Sequence, residues 1–270
     1  MRASCVRDLA DLARSSAVVA AAVSAAFGAF VPRIACAQER ADALVGRHRP
    51  VESPQHFAFE LRVSPFKPDI DSDPKLGGKT PYGDIFGNSP QVLVAGEFDW
   101  QVARIPHVGT IGPGFGFGYT TMSGNAPFTM MHNGGTMSGE TTGLQIFPFY
   151  LVGVLRADVL WREAHVPLVP YAKLGLGLAF WRASNTLGTS NFNGVEGLGH
   201  SWGSEVALGI SLNLNVFDEY AARNLDESMG VNNTYLFAEW TRMDLSGLFF
   251  QHDPLRAGGT FATFGLSFEF

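Results

Sequence analysis

Cysteine is nearly absent from this chain: its 270 residues hold two, Cys5 and Cys36, both close to the N-terminus. A body without cysteine has no disulfide framework and no cysteine-metal centre, and it suits an oxidising compartment. Charge is scarce too, at 16% of residues, and the net charge of -6 gives no basic footprint for nucleic acid. From Phe57 onward no run approaches the roughly 20 apolar residues that a helix needs to cross a bilayer, which excludes helical membrane spans there. What is plentiful is 31 Gly and 22 Phe. That mixture is too apolar for disorder and too rich in glycine for a helical bundle.

The first residues have the layout of an export signal. Arg2, Arg7 and Arg14 form a basic region diluted by Asp8 and Asp11, an apolar stretch runs from Ala17 to Val31, and Ala35-Cys36-Ala37 is an A-x-A cleavage pattern before Gln38. The stretch is short and Ala-rich for a transmembrane anchor. Arg33 stands where a lipoprotein signal would need an aliphatic residue. Residues 1–37 are therefore expected to be a cleaved signal, 38–56 a periplasmic segment and 57–270 the folded domain.

From Phe57 the recurrent pattern is alternation with a period of two, the mark of strands. Phe57, Phe59, Leu61 and Val63 alternate with Glu60 and Arg62. Val92, Val94, Phe98, Trp100 and Val102 alternate with Glu97 and Asp99. Ile111, Pro113, Phe115, Phe117 and Tyr119 alternate with four glycines. Residues 142–160 are apolar on both parities, so the outward face of that strand is open, as is the placement of Arg156 and Asp158. Pro170 to Phe180 opposes apolar residues to Lys173 and Gly, Trp202 to Leu214 opposes them to Glu205, and Leu236 to Trp240 opposes them to Glu239. The chain closes with Phe264, Leu266, Phe268 and Phe270 against Thr263, Gly265, Ser267 and Glu269.

Eight strands result, joined alternately by long polar segments (64–89, 122–140, 183–200, 246–258) and tight ones (Pro106-His107, Arg162–His165). Long outer loops and short inner turns are the habit of barrels in outer membranes. The sixth join, 216–230, reads instead as a helix capped by Asn215 and stopped by Gly230, with Phe217, Tyr220, Ala221, Asn224 and Leu225 on one face. It is expected at the periplasmic rim, plugging or covering the barrel floor or, alternatively, meeting a periplasmic partner.

Eight strands enclose a lumen just wide enough for side chains. The bulky sets fit only outside, facing lipid, and the small and charged sets inside. The fold expected is an all-β, eight-stranded antiparallel transmembrane barrel. Glu60, Arg62, Glu97, Asp99, Lys173, Glu205, Glu239 and Glu269 would then form a polar network in the lumen, since isolated buried charges are costly.

Phe59-Glu60-Leu61-Arg62, Gly112-Pro113-Gly114, Val159 to Glu163 followed by His165 to Tyr171, and Val231 to Trp240 resemble an outer-membrane barrel family seen in myxobacteria and relatives, over residues 57–270. The resemblance implies a barrel of OmpA or OmpX type in the outer membrane of a Gram-negative bacterium, and it brings no established activity. The alternating, aromatic-ended strand of Phe264, Leu266, Phe268 and Phe270 is similar to the signal by which such proteins engage their barrel-assembly machinery.

Two functions stay open at this stage: a structural or adhesive barrel with a filled lumen and outer loops that meet an external ligand, or a small channel, cation-preferring from its acidic excess. A lipid hydrolase is a third and weaker reading, because the adjacent His200 and Ser201 point to opposite faces of a strand. His132, His252, Ser138 and Ser246 lie in loops that fix no geometry, so no catalytic, cofactor or metal residue is expected. Asp69, Asp71, Asp73 and Asp84 resemble a calcium loop only loosely. Trp161 and Trp202 are expected in interfacial aromatic girdles, and Trp181, of inward parity, under a loop.

Overall fold

The computed structural model describes residues 56–127, 137–192, 194–248, 251 and 254–270. Residues 1–37, expected as an export signal, most of the segment 38–56, His132 and His252 lie outside them. Eight long strands run antiparallel: β1 (Phe57–Phe66), β2 (Gln91–Trp100), β3 (Gly109–Pro127), β4 (Met137–Arg156), β5 (Leu168–Asn185), β6 (Leu198–Asn213), β7 (Asn233–Asp244) and β8 (Gly259–Glu269). Each pairs with its sequence neighbours, and β1 pairs with β8 from Ala58↔Glu269 to Val63↔Phe264, so the sheet closes into a barrel. Closure leaves no sheet edge around the ring.

The period of two places apolar side chains outside. Phe98, Phe115, Phe117, Leu174, Leu176, Leu208, Trp240 and Phe264 are all exposed. Glu60, Lys173 and Glu205 are fully or almost fully buried. A protein folded in water has the reverse distribution. On β4 the structure decides the phase: Leu144, Ile146, Tyr150, Val152, Val154 and Arg156 face inward, and Phe147, Leu151 and Leu155 outward.

The outward apolar band has a readable upper limit. On β3 it runs Phe115, Phe117, Tyr119 and then turns to Thr121, Ser123 and Asn125; on its partner β4 it begins at Phe147 below Thr141, Gly143 and Gln145. The Tyr119 and Phe147 rings, 4.9 Å apart, sit at this limit. β2 stops pairing with β3 at Leu93↔Thr120, yet β3 continues for seven residues to Pro127 beside β4. Seven residues of strand rise roughly 23 Å along the chain, so the β3–β4 hairpin stands well above the end of β2, while β5 follows it as far as Gly143↔Ser184. The strands consume most of the expected loop 122–140, leaving 128–136 between them.

The turns at the opposite end are short where expected. His107 and His165 adopt left-handed conformations, with φ of 58° and 57°. A short helix, α2 (Val159–Arg162), lies in the β4–β5 turn and carries Trp161. The third connection holds helix α3 (Glu219–Met229), capped by Asp218, whose side chain accepts from the Ala221 amide at 2.9 Å, and stopped by Gly230 at φ 72°. Asn215, expected as the cap, instead ties the two strands: it donates to the Asn232 carbonyl at 2.8 Å and to Asn233 Oδ1 at 3.2 Å, and accepts from the Thr234 amide. No residue from Tyr220 to Met229 is buried, so α3 does not plug the barrel floor.

Candidate functional site

The lumen is organised in three layers. At the short-turn end, the floor, Glu269 accepts from Gln101 Nε2 (2.9 Å), Tyr235 OH (3.0 Å) and Asn233 Nδ2 (3.2 Å). Asn213 extends this layer by donating to Asn233 Oδ1 at 3.1 Å.

Above the floor sits an ionic layer drawn from five strands. Arg62 on β1 donates from Nη1 to Glu60 (2.8 Å) and Glu97 (2.6 Å) and from Nη2 to Glu239. Lys173 on β5 donates to Glu60 (2.8 Å) and Glu97 (2.6 Å) and lies 3.4 Å from Glu239. Arg156 joins the network, bridging Glu60 at 2.5 Å and Asp99 at 2.6 Å. Asp158 does not join; it pairs with Arg104 at the rim, at 2.5 Å.

Aromatic rings close over the cations: Arg62 lies 5.6 Å from the Phe237 ring, Arg156 5.6 Å and Lys173 5.1 Å from the Tyr171 ring. Tyr150 donates to Glu97 at 3.0 Å, and Thr241 to Glu239 at 2.7 Å. The bare glycine faces make room for these rings. A Cβ on Gly116 would come within 2.0 Å of the Tyr150 ring, and one on Gly209 within 2.2 Å of the Tyr171 ring.

Glu205 differs from its companions. It is fully buried, and neither carboxylate oxygen has a hydrogen-bond partner among the described residues. Glu60, Glu97 and Asp99 bring carboxylate oxygens within 4.8 Å of one another, the spacing of a metal site. Arg62, Lys173 and Arg156 already occupy the faces a metal would need.

The third layer was not anticipated. Toward the long-loop end the lumen is apolar, filled by Phe66, Leu93, Met122, Leu144, Ile146, Met243 and Phe261. Two long loops complete it. The β1–β2 loop folds over the mouth through helix α1 (Pro81–Phe86), inserting Tyr82 at 2% exposure with Ile70 and Phe86 beside it. The β7–β8 loop adds Leu245 and Ala257. Trp181 packs against this cluster. The signal lay in β4, whose two apolar parities make sense once one faces lipid and the other an apolar plug.

The aspartates of the β1–β2 loop hold its shape. Asp71 accepts from the amides of Tyr82 (2.8 Å) and Gly83 (2.9 Å), Asp73 from that of Lys75 (2.9 Å), and Asp84 from the Thr80 hydroxyl (3.2 Å). These are turn and helix-start contacts. Burial, with Asp71 nearby, pushes the Tyr82 hydroxyl above its ordinary pKa.

Ser201 is fully buried and donates to the Leu255 carbonyl at 2.6 Å, whereas His200 points outward. Ser246 donates to Asp244 at 2.7 Å.

A closed eight-stranded barrel with an ion-paired interior and an apolar exterior is the class this chain defines, and its inverted distribution suits a lipid bilayer. No family model and no curated protein matches the chain. Among solved structures it is similar to Ail, the attachment invasion locus protein of Yersinia pestis, in complex with the heparin analogue sucrose octasulfate (10% identity, 80% of this chain and 97% of that one, TM-score 0.40). It is similar also to the N-terminal β-barrel domain of Pseudomonas aeruginosa OprF (11%, 80% and 99%, TM-score 0.37) and to Neisserial surface protein A (14%, 80% and 92%, TM-score 0.32).

Proposed function

We propose that the protein is exported by its N-terminal 37 residues to a bacterial outer membrane and acts there as a non-catalytic surface-interaction barrel, structural or adhesive in role. The resemblance to the outer-membrane family seen in myxobacteria belongs to this reading, as does recognition of the strand bearing Phe264, Leu266, Phe268 and Phe270 by the assembly machinery. The observation that carries it is a lumen filled from floor to mouth while the β3–β4 hairpin rises above the apolar band. Such packing favours a lumen closed to solutes. A ligand is instead offered the polar outer face of the hairpin, with Thr121, Ser123, Asn125 and Thr141, and the loops beside it.

The competing reading is a small cation-preferring channel, favoured by the excess of Glu60, Glu97, Asp99, Glu205, Glu239 and Glu269 over Arg62, Arg156 and Lys173 in the buried wall. Planar-bilayer recording of refolded protein separates the two. Silence is expected; steady unitary currents would sink the filled-lumen reading. The surface role is tested by replacing residues 123–143 with a two-residue turn. Bacteria carrying the trimmed barrel should adhere less to surfaces and to one another than bacteria carrying the full chain, with the same amount of folded protein in the membrane. Equal adhesion would remove the hairpin from the account.

A further inference from the structure

The outward aromatic residues near the periplasmic ends of the strands are unevenly distributed. Phe57 on β1, Phe98 and Trp100 on β2, and Phe268 and Phe270 at the end of β8 form one arc of a girdle. From β5 to β7 the corresponding outward positions are Leu168, Pro170, Ile210, Leu212 and Leu236, none of them aromatic. The aromatic residues at that end of the sector, Tyr171, Tyr235 and Phe237, are buried in the lumen, and the outward Phe180 and Trp240 lie farther up the strands. Helix α3 hangs from this sector, and just ahead of it and within its first turn it presents Phe217 at 73% and Tyr220 at 77% exposure. Val216, 40% exposed, precedes them and continues the outward line of Leu208, Ile210 and Leu212 on β6.

We propose that α3 lies in the headgroup layer of the periplasmic leaflet and completes the aromatic girdle between β5 and β7, with Phe217 and Tyr220 as its lipid anchors. The inference rests on the membrane reading above and adds an occupant for a helix face that the barrel leaves uncovered. Aromatic rings favour the water–lipid boundary, where the ring meets acyl chains and its polar edge stays hydrated. Asn215 ties the entry of the helix to Asn232 and Asn233, and the Val231 amide closes its last turn on the Leu225 carbonyl at 3.3 Å. The helix region holds Asp218, Glu219, Asp226 and Glu227 against Arg223. That charge disfavours anionic lipid and selects a zwitterionic surface.

The test uses the full chain with Cys5→Ser and Cys36→Ser, so that one introduced thiol can carry a nitroxide in phosphatidylethanolamine–phosphatidylcholine vesicles. Labels are placed singly through Phe217→Cys, Tyr220→Cys, Glu227→Cys and Leu208→Cys, with folding checked by the heat-dependent gel shift. At 217 and 220, collisions with dissolved oxygen should exceed those with a water-soluble nickel chelate several-fold more than at 227. Water-like accessibility at 217 and 220, or protection from both reagents, would overturn the proposal. Leu208 is the internal standard: a lipid-buried label there with wet labels at 217 and 220 rejects the anchor alone, whereas a wet label at 208 rejects the membrane barrel itself.

Discussion

Arg62 touches three carboxylates through one guanidinium, and no conservative replacement reproduces that fork. Arg62→Met would leave Glu60, Glu97 and Glu239 short of a counter-charge in a medium with little water. The expected loss is about 3–5 kcal/mol of folding stability, read from urea titration of the barrel in vesicles by the heat-dependent gel shift. A loss under about 1 kcal/mol would mean that the layer is hydrated and weakly coupled. The glycines give a second residue-scale result. Gly116→Ala puts a methyl 2.0 Å from the Tyr150 ring and should cost about 1–3 kcal/mol, while Gly96→Ala, whose nearest neighbour would be 3.7 Å away on Phe117, should be close to neutral. The charged lumen residues other than Arg156 were legible from parity. Their partners were not, because hydrogen bonding between Arg62 on β1 and Glu239 on β7 depends on which strands meet when the sheet closes.

At the scale of elements, the β1–β2 loop behaves as a small folded lid. Asp71 fixes the start of α1 through two backbone amides, and α1 carries Tyr82 into the mouth. Asp71→Ala should lower local stability by about 0.5–2 kcal/mol. Hydrogen exchange at Tyr82 and Gly83 would speed up accordingly, with exchange in β1 and β8 unchanged. Exchange that rose equally in the barrel strands would show that lid and barrel unfold as one unit. Four acidic residues in one loop invite a cation-binding reading of the sequence; the structure shows three of them spent on local turns, a use that short-range spacing cannot distinguish. Helix α3 carried a clear pattern in the sequence, but its cap moved from Asn215 to Asp218. Both are good caps, and the choice fell to tertiary contacts: Asn215 is held by Asn232, Asn233 and Thr234 on the opposite strand.

For the whole molecule, ion pairs sealed within a protein wall are poorly screened by salt. Raising ionic strength from about 0.1 M to about 1 M, where the screening length falls to about 3 Å, should shift the unfolding midpoint little. A large loss of stability would place water in the ionic layer and reopen the channel reading. Sequence by itself determined the strand number, the alternation of faces and the placement of charged residues on the inner parity, since all three follow from a period of two and the small bore of eight strands. Tertiary structure decided what periodicity leaves free. β4 is apolar on both faces, so its phase could be chosen only by its neighbours, and that choice brought Arg156 into the ionic layer and set Leu144 and Ile146 in an apolar plug. The plug itself depends on Tyr82 and Leu245, which arrive from loops distant in sequence. Loop residues have no periodic signal, and where they pack is a property of the closed barrel.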